Sequence, residues 1–203
     1  MTLDVRLWLA VLFALAAFAL LGYRVARGPL RWPDAATSRF FGHGVPVARI
    51  FTISGYARVL SVLGALAVVA ALAARAQLKA VVMILFVQIA SQVVIEAIKA
   101  TFGRARPAEW HYRQERGYSY PSGHAATAVV FYGMWAWLVA SSALPTAPKA
   151  VLAVLLLGWA LGICWSRLAL GAHYVTDVLG GMLFGAAFVC AELTALSALG
   201  LAA

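Results

Sequence analysis

Apolar residues run along this chain in long blocks, and the polar residues between the blocks are few and clustered. About 20 consecutive apolar residues cross the hydrocarbon of a bilayer as a helix. Blocks near that length lie at about 7–25, 50–74, 78–99, 121–143, 150–166 and 173–199. The pattern predicts an all-α integral membrane protein, a six-helix bundle forming one membrane-embedded domain over residues 1–203. The first block follows Asp4 and Arg6 and ends in Tyr23-Arg24-Val25-Ala26-Arg27, which does not resemble a cleavage region. It therefore reads as a retained span rather than a signal peptide. In the connection from Gly28 to Arg49, Trp32, Phe40 and Phe41 stand beside arginines, which predicts a short segment lying at the membrane interface.

Within the blocks a few residues stand out. Arg58 falls roughly two turns inside the second, where an arginine at the bilayer centre costs about 2.5–3.5 kcal/mol on insertion scales, so it is expected to snorkel or face the protein interior. Arg75-Ala76-Gln77 marks a turn into the third block, near whose end Glu96 and Lys99 are three residues apart and can pair. Pro145 and Pro148 mark the next turn, and Gly180, Gly181 and Gly185 let helices approach closely.

Composition agrees with the pattern: 64% of residues are hydrophobic, only 11% are charged, and mean hydropathy is +0.90. Soluble domains carry about 25% charged residues. The net charge of +9 could point to nucleic acid, but most of the arginines and lysines flank apolar blocks, so an anionic lipid headgroup or a phosphate is the expected partner. Cys164 and Cys190 fall inside apolar blocks without metal-ligand spacing and read as core residues.

The candidate chemistry sits where blocks begin and end. Tyr118 to Ala126 reads YSYPSGHAA. Pro121 suits the first turn of a helix, and Ser122, Gly123 and His124 follow it there. Free N–H groups and the positive end of the helix dipole make such a turn an anion site, Gly123 permits close approach, and His124 would stand beside the anion. An ordinary helix start with an incidental histidine has the same appearance, so the tetrapeptide alone decides nothing.

Three polar clusters decide it together: Lys99 with Arg104 and Arg106, then Ser122 to His124, then Ser166 and Arg167 with His173 and Asp177. With six spans, the third ends, the fourth begins, the fifth ends and the sixth begins on one side of the membrane, so all three clusters emerge together. His173 and Asp177 are four apart, and a helix would stack them on one face. A carboxylate bonded to one imidazole nitrogen fixes the tautomer and frees the other nitrogen, so His173 reads as a nucleophile supported by Asp177. A lone buried histidine is more often a satisfied core residue, but an ionisable pair in a membrane helix is a functional feature by default. Lys99, Arg106 and Arg167 supply the cations that a phosphoryl transition state needs. Interfacial anchoring explains basic residues equally well, and Arg104, Arg113 and Arg116 are left with that role. No carboxylate cluster accompanies His43, His111, His124 and His173, so no metal and no cofactor are expected.

Lys99, six residues, Arg106-Pro107, then Pro121-Ser122-Gly123-His124, then Ser166-Arg167, five residues, His173, three residues and Asp177 resemble the three-part signature of the type 2 phosphatidic acid phosphatase superfamily. That superfamily includes membrane lipid phosphate phosphatases and soluble vanadium haloperoxidases. The resemblance implies that His173 attacks phosphorus to form a phosphohistidine, with Asp177 orienting it. His124 would protonate the leaving oxygen and then activate water, while Lys99, Arg106, Ser122, Gly123 and Arg167 would bind phosphoryl oxygens. It implies a lipid phosphate or diphosphate as substrate, with undecaprenyl diphosphate favoured over phosphatidylglycerophosphate, phosphatidic acid and a lipid A phosphate. It also implies a bacterial inner-membrane location with the active site on the periplasmic face, although the arginine-rich first connection points the other way by the positive-inside rule. A lipid-binding or transport protein without turnover is the reading of another class. Neither internal repeats nor interrupted spans speak for it.

Overall fold

The computed structural model describes residues 3–28, 31–74, 78–108, 111–112 and 115–201. Regular structure among them is helical: α1 (Leu3–Ala26), α2 (Arg31–Ala35), a 3-10 turn (Ala36–Arg39), α3 (Val45–Ser54), α4 (Ala57–Ala74), α5 (Leu78–Phe102), α6 (Gly123–Ala140), α7 (Thr146–Ala169) and α8 (Val175–Ala198). Five of these helices are long and apolar enough to cross a membrane, and a sixth span results if α3 and α4 are taken as one. The turn expected at Arg75-Ala76-Gln77 and the anchoring role expected of Arg113 lie outside the described residues.

The outer surface is apolar, with Phe13, Phe86 and Val154 each about 70% exposed (73%, 70% and 68%). Water would not tolerate a surface of that kind over several helices, whereas lipid does. This is an integral membrane protein. α6 and α8 pack through glycine: a Cβ on Gly181 would lie 2.4 Å from the Ser122 carbonyl oxygen, and one on Gly185 would lie 2.7 Å from that of Ala126. The close approach expected of these glycines is therefore found. It places the start of α6 against the first turns of α8, and the Ser122 N–H donates to the Asp177 carbonyl at 2.9 Å. Phe18 of α1 closes the other side, stacked on Tyr120 with ring centroids 5.6 Å apart, while the Tyr120 hydroxyl donates to the Phe18 carbonyl at 2.7 Å.

The second span departs from expectation. Taken as one span, α3 and α4 begin at Val45 rather than 50 and bend by 54° between Ser54 and Ala57. Gly55 sits at the bend, where a Cβ would come within 2.9 Å of Ile163 Cγ2 and 3.0 Å of His124 Cδ2. The break thus lets the backbone press against the start of α6. It also moves Arg58: instead of lying two turns inside a straight span, Arg58 is the second residue of α4, exposed, with its guanidinium 5.3 Å over the Tyr56 ring.

Candidate phosphate site

The three clusters meet at one end of the bundle, around a cavity of about 860 Å³ whose wall includes Glu96, Lys99, Arg106, Glu115, His124 and His173. α5 delivers Lys99 from its last turn, and Lys99 Nζ donates to Glu96 Oε1 at 2.6 Å, the expected pair. Gly103 (φ +60°) then ends the helix in the left-handed conformation that glycine adopts without strain.

α6 starts two residues later than expected. Pro121 precedes the helix, and Ser122 is its N-cap, accepting from Ala125 N at 3.4 Å. Ser122 is fully buried and does not line the cavity, whereas Gly123 and His124 do. A Cβ on Gly123 would stand 3.1 Å from Glu96 Oε1 and 3.5 Å from Lys99 Nζ, so the missing side chain keeps the helix start open toward the ammonium group. His124 packs edge-on to Tyr56 at 5.0 Å, and its buried Nε2 has no hydrogen-bond partner among the described residues.

His173 is not on a helix with Asp177. α8 begins at Val175, and Asp177 occupies its first turn, where Oδ2 accepts from Tyr174 N at 2.8 Å and caps the helix. His173 hangs in the connection just before, 1% exposed. Its Nδ1 lies 3.5 Å from Asp177 Oδ2, too long for a good hydrogen bond. The link is shared by Ser119, whose hydroxyl donates to Asp177 Oδ2 and whose Oγ is also 3.5 Å from Nδ1. On the far side of the ring, Nε2 is 3.1 Å from Arg106 Nη1. An arginine can only donate, so Nε2 accepts and the proton of the neutral ring belongs on Nδ1, facing Ser119 and Asp177. Burial, reinforced by the charges of Arg106 and Arg167, pushes the His173 pKa well below the ordinary imidazole value of 6.5. The ring is a neutral base whose Nε2 lone pair accepts from Arg106 at the cavity wall.

Arg106 is braced by the carbonyls of Gly117 (3.1 Å), Ala172 (3.1 Å) and Arg116 (3.3 Å). Arg167, 1% exposed, donates to Thr52 of α3 and to Glu115, and its Nε is buried without a hydrogen-bond partner among the described residues. Glu115 connects the two arginines, its other oxygen lying 3.4 Å from Arg106 Nη1. Burial alone would raise the Glu115 pKa, but the charges of Arg167 and Arg106 outweigh it and hold the carboxyl below its usual range.

Arg104 is a correction. It is not an interfacial anchor but a buried residue, donating to Asp177 Oδ1 and Thr176 Oγ1 at 2.6 Å each and to Asp34 of α2. Arg116 remains exposed at the cavity wall. Sequence reasoning missed Ser119, Glu115 and Asp34. Ser119 stood inside Tyr118–Ala126 and Asp34 inside the Gly28–Arg49 connection, but neither was marked for the site. Among the described residues, no three His, Cys, Asp or Glu side chains gather as metal ligands would.

Arg167 does not line the cavity but lies behind it, bonded to Glu115 of the wall. A membrane helix bundle that turns two histidines with Lys99, Arg106 and Arg116 onto one cavity is built to hold an anion at the bilayer surface. The sequence profile of the PAP2 superfamily matches residues 77–200, and the chain belongs to that superfamily. Phosphatidylglycerophosphatase B of Escherichia coli (strain K12) is 35% identical over 79 residues, which are 39% of this chain and 29% of that protein. Lipid A 1-phosphatase of Rhizobium johnstonii is 31% identical over 113 residues, 51% of this chain and 42% of that protein. The matches thus span less than half the length of these curated relatives. In fold, the chain is similar to a transmembrane PAP2 type phosphatidylglycerolphosphate phosphatase from Bacillus subtilis, with a TM-score of 0.66 and 21% identity over 95% of this chain and 94% of the other.

Proposed function

We propose that this protein hydrolyses a lipid phosphate at the membrane surface, without a metal, through a phosphohistidine on His173. The observation that carries the reading is the orientation of His173, whose Nδ1 faces Ser119 and Asp177 while Nε2 meets Arg106 at the wall of the cavity shared with His124. In the first half-reaction Nε2 attacks phosphorus, the bond from phosphorus to the lipid oxygen breaks, and His124 donates a proton to the departing oxygen. In the second, His124 takes a proton from water, the water oxygen bonds to phosphorus, and the P–N bond breaks to release inorganic phosphate. Lys99, Arg106, Arg167 and the N–H of Gly123 hold the equatorial oxygens, with Ser122 supporting the turn.

The substrate is a membrane lipid with a terminal phosphate. Glu96 and Glu115 bring two carboxylates to the wall that carries the cations, which favours a single phosphate over a diphosphate. A glycerophospholipid phosphate such as phosphatidylglycerophosphate, named for the E. coli and B. subtilis relatives, fits that charge arrangement. Undecaprenyl diphosphate, favoured by the sequence reading, is the second candidate. We place the site on the periplasmic face of a bacterial inner membrane, so a C-terminal reporter should read as cytoplasmic; a periplasmic signal would reverse the orientation.

The test is phosphate release by the purified protein and by His173→Ala from a panel of lipid phosphates and diphosphates. Release by the parent and not by the variant is expected, with inhibition by vanadate as a five-coordinate mimic and none by chelators. Equal release from both proteins would remove the nucleophile, and strong inhibition by a chelator would mean that a metal takes part.

A further inference from the structure

Behind the cavity lies a second layer that the phosphate chemistry does not itself require. Arg104 stands between two buried carboxylates: its Nη1 donates to Asp177 Oδ1 at 2.6 Å and its Nη2 to Asp34 Oδ2 at 2.5 Å. The Thr176 hydroxyl donates to Asp34 Oδ1 at 2.6 Å and accepts from Arg104 Nη1, and the Tyr174 ring lies under the guanidinium at 4.3 Å. Thr37, three residues beyond Asp34, accepts the Val175 N–H at 3.0 Å. The short segment after α1 is therefore docked on the first turn of α8, the turn that carries Asp177.

We infer that Asp34 and Arg104 are positioning residues that fix the orientation and the charge of Asp177 toward His173. The inference rests on the proposed phosphohistidine reading. Orientation follows from the bonds: with Oδ1 held by Arg104, only Oδ2 is left to face Ser119 and His173. Charge follows from sharing. A guanidinium bonded to Asp177 alone would cancel the negative charge that the imidazole needs when attack makes it cationic. Asp34 draws on the same guanidinium, and the three groups together keep a net negative charge. The attack forms the P–N bond and leaves one positive charge on the ring; the lipid oxygen departs with the proton from His124, and no other co-reactant is needed. A merely structural ion pair, fastening the α1–α3 connection to the bundle, would have the same contacts but no hold on the rate.

Asp34→Asn keeps the shape and removes the charge, while Thr176→Val keeps the charge and removes the bridging hydroxyl. For each, turnover, vanadate inhibition and the His173 tautomer by 15N NMR are measured on the full-length protein in detergent. For Asp34→Asn we expect turnover to fall about tenfold, the effect of about 1.4 kcal/mol, with vanadate inhibition within about threefold and loss of the single Nδ1–H tautomer. A folded Asp34→Asn protein with turnover within twofold of the parent and an unchanged tautomer would overturn the inference. So would an equal loss of turnover and vanadate inhibition, which would place Asp34 in anion binding. If Asp34→Asn does not fold, Thr176→Val decides by the same tautomer readout. A parent that releases no phosphate would sink the catalytic reading, and the tautomer comparison would still decide whether Asp34 positions the ring.

Discussion

Ser119→Ala removes one hydroxyl from the back of the site and should cost turnover without costing anion binding. Ser119 Oγ donates to Asp177 Oδ2 and lies 3.5 Å from His173 Nδ1, and the serine and the carboxylate are fully buried. A hydrogen bond to a buried charged group contributes about 1.5–3 kcal/mol. Asp177 keeps its bonds from Arg104 and from Tyr174 N, so the carboxylate stays in place and the loss falls on the tie between it and the ring. If that tie is expressed in the chemical step, turnover should fall about ten- to hundredfold, since each 1.36 kcal/mol is a factor of ten. The Ser119 hydroxyl is given to Asp177 and not to a proposed oxygen-binding cation, so vanadate inhibition should move by less than about threefold. The assay is steady-state phosphate release in mixed micelles, with a vanadate titration of each protein. Turnover within twofold of the parent would show that Asp177 acts on His173 without Ser119, and the link shared by the Ser119 hydroxyl would have no part in the reaction.

Other expectations follow from the same geometry. Glu115→Gln should strengthen vanadate inhibition several-fold, because the carboxylate occupies Arg167 and Arg106, which the anion also needs; weaker inhibition would mean that Glu115 orders the arginines rather than competing for them. His173 should stay neutral at pH 6.5, where an ordinary imidazole is half protonated, since burial and then the Arg106 and Arg167 charges depress its pKa. 15N NMR of the ring checks this, and a titration at or above 6.5 would contradict it. The sign for stability is the same: the unfolded chain binds the proton first, so His173 lowers stability as pH falls below the ordinary imidazole value. Glu192→Leu in α8 should raise the melting temperature and leave turnover unchanged, because both carboxylate oxygens are buried without a hydrogen-bond partner among the described residues. A lower melting temperature would show that Glu192 is satisfied in the native protein.

The long apolar blocks and the parity of their ends were legible because lipid imposes length and hydropathy on each span separately. The same reasoning could not see the bend at Gly55. Ser54-Gly55-Tyr56 interrupts an apolar run too briefly to change its average, and the need for a glycine there comes from His124 and Ile163, far along the chain. The pairing of His173 with Asp177 was legible as a spacing, but not as a geometry: four residues implied a helix, whereas the carboxylate caps α8 and the imidazole precedes it. Arg104 looked like any interfacial arginine because nothing local distinguishes it. Its meaning lies in Asp34 and Asp177, about 70 residues away on either side. Glu115 likewise acquires a role only when the fold brings Arg167 beside Arg106.

The central claim is a covalent bond between His173 and phosphorus, and rapid quenching with a 32P-labelled lipid phosphate tests it most directly. The account predicts an acid-labile, base-stable label on His173 in the parent and none in His173→Ala. Label on another residue, or turnover in the parent without any phosphoenzyme at the shortest quench times, would contradict it.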